Sequence, residues 1–469
     1  MKIFKNAVIA IAMLLSIAGL ANNIQIADIQ FNRNKGTVDF QLSWENCWKN
    51  DKNHDAAWVF VKLLPSDGGY IHGNLAASGH NASGKSGAKA RLHLPNDKVG
   101  LFVAAKENYR GAVSWNVQLK LDAFTLKNIN SNVEVAVFAV EMVYIPEGSF
   151  FIGDTDPDAL NYASFFEVSA NKSPAGPYKI TSEDQTITVG GSEGDLYYET
   201  GNSPYRGDNS GIIPASFPKG YNAFYMMKYE TSQGLYADFL NTISSELAAK
   251  LTPHKTKEYY EKRGSIKFEA NRYVAESRNR PANYITWDDG AALADWAGLR
   301  PMTELEFTKA ARGPNKPFTH EFPWGTSSTE ELKRKVTLDD ELTLVDETLE
   351  GDLKDSNRQV YGASYYWVMD LAGSLWEKCV TIGDEIGRNY LGTHGDGKIS
   401  ETGTATNQDW PVGIAEEGGY GYRGGGYYNH GMKITDYNPH SPISYRPYGS
   451  WAGGKRSIAY SQRYVRTAD

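Results

Sequence analysis

The chain has 469 residues, 41% of them hydrophobic and 22% charged, with a net charge of −8 and two cysteines. That length exceeds one ordinary domain and predicts two or three, and the composition is that of a globular protein. The acidic balance disfavours nucleic acid and anionic membrane surfaces as partners, and two cysteines so far apart exclude a disulfide scaffold.

Residues 1–21 read as a secretory signal peptide. Lys2 and Lys5 precede an apolar run from Ala7 to Leu20, and Gly19 and Ala21 fill the −3 and −1 positions of a cut before Asn22. The alternative, a membrane anchor, needs about 20 apolar residues, more than this run supplies. No cysteine follows the run, so an acylated lipoprotein anchor is not expected, and the mature chain has no transmembrane candidate. Removing Lys2 and Lys5 leaves 46 basic against 56 acidic residues, a balance of −10. The expected protein is exported, to the periplasm or to the cell surface in association with the outer membrane. Cys47 and Cys379 are expected as two small buried thiols, although export permits a disulfide.

Residues 22–140 read as a separate all-β domain. Val38, Phe40, Leu42 and Trp44 alternate with Asp39, Gln41 and Ser43, and Val113, Trp115, Val117, Leu119 and Leu121 repeat the pattern. Ala57-Trp-Val-Phe-Val61 is a continuous apolar run, suited to a strand buried on both faces. Turn-rich pieces such as 65–69 and 80–87 separate these runs. Strands at this spacing predict an antiparallel β-sandwich of immunoglobulin-like size. Residues 79–86 also satisfy the P-loop pattern literally, with Lys85 and Ser86 at its end. A P-loop needs a strand before it and a helix after it, whereas residues 88–94 alternate like a strand, so no nucleotide is expected.

The second domain spans 141–469. A long polar segment, 154–220, reads as an insertion or a functional surface. A helix is predicted from about Ser232 to Leu251, another capped by Thr286 with Asp288 and Asp289 in its first turn and a stop at Gly298. A third opens on the capping box Thr303-Glu-Leu-Glu306 and ends at Gly313. Beyond Gly313 the chain is rich in Gly, Tyr and Trp, with little regular periodicity.

Four blocks in this half carry a resemblance. They are Arg300-Pro-Met-Thr-Glu-Leu-Glu-Phe-Thr-Lys-Ala-Ala-Arg-Gly313, Phe322-Pro-Trp-Gly325, Asp370-Leu-Ala-Gly-Ser-Leu-Trp-Glu377 and Arg423-Gly-Gly-Gly-Tyr-Tyr-Asn-His430. In this order they resemble the formylglycine-generating enzyme family, also called the sulfatase-modifying-factor domain. The resemblance covers Met142 to the C-terminus and implies an α+β, C-type-lectin-related module with low regular structure. It also implies a structural calcium held by Asp370, the carbonyls of Gly373 and Leu375, and Glu377, a set of hard oxygens that suits calcium. The residues alone leave another reading open, in which Asp370 caps a turn and Glu377 meets an arginine. A second family calcium site would lie between Gly325 and Gly362, where the acidic run 339–341 is a candidate.

The family binds copper through two cysteines after the last glycine pair, and here those places fall on Asn429 and Ile434. Copper(I) is a soft ion that selects sulfur ligands, so no copper and no family chemistry are expected. The surface left to consider is aromatic. Tyr420, Tyr422, Tyr427, Tyr428, Tyr437, Tyr445, Tyr448 and Trp451 crowd a glycine-rich segment with Arg423, Asn429, His430 and Arg446. Tyr, Trp and Arg are the residue types that anchor interfaces, although part of the set is expected to fill the core. The two-part arrangement resembles exported Bacteroidota proteins, among which catalytically silent family members serve gliding motility and type IX secretion. The functional expectation is therefore a non-catalytic binding or assembly component of the cell envelope with a protein partner. The alternatives are an enzyme with altered oxidative chemistry using His430 and Asn429, and a glycan-binding adhesin.

Overall fold

A computed structural model describes residues 24–469, apart from 67, 130–131, 202–203, 254, 337–341, 345–353, 414–417, 427–440 and 454–455. The leader expected at 1–21 and the acidic run at 339–341 lie outside the described residues.

Two sheets pack face to face in the first part of the chain. One has four strands in the order Gln25–Asn32, Thr37–Lys49, Tyr109–Lys120, Asn81–Ser86. Strand Thr37–Lys49 buries Val38, Phe40, Leu42 and Trp44, and Tyr109–Lys120 buries Val113, Trp115, Val117 and Leu119, as period-two alternation requires. The other sheet has eight strands. Seven run in the order Arg300–Pro301, Tyr464–Thr467, Phe224–Met227, Val133–Ile145, Asp55–Pro65, Leu101–Ala105, Ala90–His93, and Ile71–His72 pairs beside Asp55–Pro65. Residues 79–86, with the P-loop spelling, run into strand Asn81–Ser86, and the next element is strand Ala90–His93.

Strand Asp55–Pro65 is shared between two cores. Ala57, Val59, Val61 and Leu63 point into the sandwich core, while Ala56, Trp58 and Phe60 belong to a second core with Phe239, Leu293 and Trp296 of the helical part. Trp58 donates its indole N–H to the carbonyl of Ala297 at 2.8 Å, and Phe60 meets Trp296 edge-on at 5.0 Å. The boundary expected near Val140 falls inside strand Val133–Ile145. That strand pairs with Asp55–Pro65 from Pro65↔Val133 to Asp55↔Val143, and on its other edge with Phe224–Met227. The strand is thus bonded to Asp55–Pro65 over eleven positions and to Phe224–Met227 over Met142–Ile145, so the sheet continues through the expected boundary.

The helices form where capping signals sit. Helix Trp287–Trp296 opens on a capping box between Thr286 and Asp289, and helix Glu304–Arg312 on one between Thr303 and Glu306. Gly298 and Gly313 follow at φ +69° and +72°, a region that favours glycine. The helix expected from Ser232 to Leu251 is two, Gln233–Leu240 and Ser245–Leu251. Between them Thr242 donates its hydroxyl to the Phe239 carbonyl and Ser244 caps the second helix through Leu247 N–H. Such local side-chain bonds interrupt an apolar spacing that otherwise suits one helix.

The polar segment 154–220 is folded. It contributes a five-stranded sheet in the order Pro174–Gly176, Phe166–Val168, Leu196–Tyr197, Ile187–Val189, Gly211–Ile213. A three-stranded sheet of Trp376–Val380 between Tyr420–Arg423 and Tyr460–Gln462 holds two of the family-like blocks side by side. The whole is mostly sheet with some short helices. Among the described residues no helix is long and apolar enough to cross a membrane.

Candidate functional site

The site begins with Glu304, in the first turn of helix Glu304–Arg312. Its carboxylate accepts from Arg446 Nε at 2.9 Å and Nη2 at 3.1 Å, from Arg423 Nη1 at 3.1 Å, and from the Thr381 hydroxyl and Ile382 N–H. Burial alone would raise this carboxyl, but Arg446 and Arg423 outweigh it and hold the group below its usual range. Arg446 is also sandwiched, with its guanidinium 4.4 Å from the ring centres of both Phe165 and Tyr198. Those rings come from the polar segment, which thus wraps the C-terminal strands.

Arg423, expected on a binding surface, is buried. Besides Glu304, it donates to the Ile443 carbonyl at 2.5 Å and to Thr308. The physical reason is charge: the interior already holds the Glu304 carboxylate, and a guanidinium reaches it from strand Tyr420–Arg423. Tyr420, Tyr422, Tyr445 and Arg446 are buried too. Tyr427, Tyr428, Asn429, His430, Ile434 and Tyr437 lie outside the described residues.

Trp451 and Tyr448 remain partly exposed and form an aromatic group. Trp451 lies 5.4 Å from Tyr205, Tyr422 and Tyr448 and 5.8 Å from Tyr460, while Tyr448 meets Trp376 at 5.6 Å. The sequence reading did not include Tyr205, Tyr460 or Trp376. Tyr205 is 41% exposed and comes from the polar segment, a partner that no short-range pattern announces. Trp376 sits one residue before Glu377 and packs against Gly426, where a side chain would come within 2.8 Å of its ring.

The Asp370–Glu377 loop lies beneath. Asp370 and Ser374 adopt left-handed backbone, at φ +60° and +57°, with Gly373 at +91°. The Glu377 carboxylate takes Arg463 Nε and Nη2, each at 2.8 Å, so the arginine partner read as an alternative is present. Glu230, missed in the sequence, stands beside it and accepts from Leu375 N–H at 3.1 Å. Its second oxygen and the Ser374 hydroxyl are both buried, and Ser374 draws the carboxyl downward as a hydrogen-bond partner. Burial, then Glu377, pushes Glu230 well above the usual carboxylate range, against the pull of Arg463, with Asp370 adding to the rise.

The carbonyls of Gly373 and Leu375 accept no hydrogen bond among the described residues. No three His, Cys, Asp or Glu side chains among the described residues converge on one point, so a cation here needs those carbonyls. Asp370, Glu377 and the two carbonyls are hard oxygens, the ligand type that calcium takes, and both Glu377 oxygens already accept from Arg463.

Comparison with known proteins bears on this geometry. Residues 133–450 match the Sulfatase-modifying factor enzyme 1-like domain, a span holding most of the four blocks' packing. The chain belongs to this family. A formylglycine-generating enzyme of Thermomonospora curvata is 29% identical over 135 residues, 28% of this chain and 44% of that protein. One of Streptomyces coelicolor is 28% identical over 102 residues, 22% of this chain and 32% of that protein. The chain therefore spans less than half the length of these curated relatives. The family match begins at the strand shared between the sandwich and the second core.

Only Cys379 lies within the span that matches the sulfatase-modifying-factor family, and the two thiols are not neighbours. Cys47 packs in the sandwich core with Trp44 and Trp115, and Cys379 in another core with Phe307 and Val465. Both are buried and free, and burial pushes both thiols upward, away from thiolate.

Proposed function

We propose that this chain is a non-catalytic member of the sulfatase-modifying-factor family, acting as a binding or assembly component of the bacterial cell envelope. The observation that supports the reading is the position of its thiols. Copper(I) chemistry of the family type needs two thiolates side by side, and the only two cysteines of the chain sit in separate cores. The positions that the family resemblance assigns to copper carry Asn429 and Ile434. Envelope placement rests on the leader-like first 21 residues. The half-exposed group of Tyr205, Tyr448 and Trp451 offers rigid aromatic anchors of the kind used at protein interfaces. Calcium, on this reading, is structural and is held by Asp370, the Gly373 and Leu375 carbonyls, and Glu377.

An anaerobic copper(I) titration against a colorimetric chelator, with an aldehyde assay on a cysteine-containing peptide, tests the claim. No stoichiometric copper and no formylglycine are expected. Either one would overturn the reading. Isolation from envelopes under mild conditions is expected to bring down a partner, and a lone monomer in every preparation would refute the assembly role.

A further inference from the structure

A cleft of about 820 Å³ opens where the sandwich meets the family module, far in sequence from the blocks that define the family. Within a mostly polar lining, His54, His93, Tyr144 and Tyr225 supply rings, backed by Phe102. Tyr144 stacks on His54 at 4.9 Å, Tyr225 lies 5.2 Å from Tyr144, Phe102 stacks on Tyr225 at 3.9 Å, and His93 follows 6.3 Å from Phe102. His54 and Tyr225 are buried, while Tyr144 and His93 are half-buried and line the opening.

Both signs of charge line this cleft. Arg91, on edge strand Ala90–His93, and Lys49 are ion-paired to nothing among the described residues, and both act electrostatically on His54. Arg91 acts on Tyr144 and His93 as well, and its guanidinium is a hydrogen-bond partner of the Tyr225 hydroxyl. Lys52, by contrast, is committed to Asp355 and the Tyr365 carbonyl. The remaining charged lining is acidic: Asp51, Glu147 and Asp469. A polyanion such as a nucleic acid strand would meet these carboxylates, so the ligand that fits carries one negative group on a neutral body. Asn50 adds an amide whose oxygen is already taken by the Lys52 and Asn53 N–H groups, leaving its NH2 to donate, and Asn222 adds a second amide from the module side.

We propose that this cleft binds an acidic saccharide. Its single carboxylate or sulfate pairs with Arg91 and Lys49, an apolar sugar face lies on Tyr144 and His93, and its hydroxyls meet Asn50 and Asn222. The volume is that of a site for a small ligand of a few rings. The assignment stands apart from the family site, because every residue in it lies outside the four blocks. It therefore holds whether or not the copper positions are silent.

The test is calorimetric titration of the full chain with a glucuronate-terminated disaccharide, a monosulfated disaccharide, their neutral parents, and inorganic sulfate. At least one acidic disaccharide is expected to bind one to one, about tenfold or more tighter than its neutral parent, as one charge-assisted pair supplies. Arg91→Gln, exposed on its edge strand, is expected to lose about tenfold in affinity at unchanged melting temperature. His93→Ala is expected to weaken the sugar and leave inorganic sulfate unchanged. No binding of either acidic disaccharide at millimolar concentration would overturn the proposal. So would an unaffected Arg91→Gln variant, or inorganic sulfate binding as tightly as the sulfated disaccharide.

Discussion

Glu304 and Arg446 are joined by two hydrogen bonds, Nε to Oε2 at 2.9 Å and Nη2 to Oε1 at 3.1 Å, with both side chains out of contact with water. Arg423 shares the same carboxylate. Removing it strands two buried guanidinium groups. Glu304→Ala is therefore expected to destabilise the protein by about 3–5 kcal/mol in urea unfolding, the cost of breaking a buried pair from one side. A loss below about 1 kcal/mol would show that the arginines find water or other acceptors. The carboxyl sits below its usual range in the folded state, so its contribution is complete above the unfolded value and is lost as pH falls through the folded one.

His54 predicts a pH dependence of its own. Burial, then Arg91 and Lys49, lowers its folded pKa to about 3 from an ordinary 6.5. The unfolded chain therefore binds a proton between those values that the folded chain refuses, and stability falls as pH drops from 6.5 toward 3. At pH 5 this one group costs about 2 kcal/mol relative to pH 7. His54→Phe keeps a ring against Tyr144 and removes the titration. Its stability between pH 7 and 5 is expected to fall less than that of the parent by this amount, as read by denaturant melts at both values.

For calcium, the expected outcome is a melting temperature that rises with calcium and drops with chelator, and an Asp370→Ala variant that has lost both responses. The linkage is mass action: a ligand at 100 times its dissociation constant stabilises by about 2.7 kcal/mol. An identical melting curve of the parent with and without chelator would remove the ion from the account.

A chain beginning at residue 133, where the family match starts, is expected not to fold alone. Strand Val133–Ile145 would lose its whole pairing with Asp55–Pro65, and Trp296 and Ala297 would lose Phe60 and Trp58. In the full chain, Trp58→Ala is expected to cost about 3–5 kcal/mol, as large buried aromatics do. A soluble, cooperatively melting 133–469 fragment would contradict this.

What the sequence discloses follows the range of the interaction. Capping boxes at Thr286 and Thr303, glycine stops at 298 and 313, and the double burial of Ala57–Val61 are set within a few residues, and all appear in the structure. The continuity of the sheet across Val140 depends on partners up to 88 positions away along Asp55–Pro65 and Phe224–Met227, so a change of pattern there reads as a domain edge. Arg423 reads as surface because its neighbours are glycine and tyrosine, while the acceptor that buries it lies 119 residues earlier. Glu230 belongs to the Asp370 loop by the same long reach, 145 residues from Leu375.

The strand shared by the two cores has a mechanical consequence. A load applied to the sandwich reaches the family module through eleven paired positions of Val133–Ile145, running antiparallel with Asp55–Pro65, and not through a hinge. Such a junction transmits direction as well as force. Whatever orients the sandwich therefore also fixes the bearing of the aromatic face on the family module, so a partner would meet it at one angle.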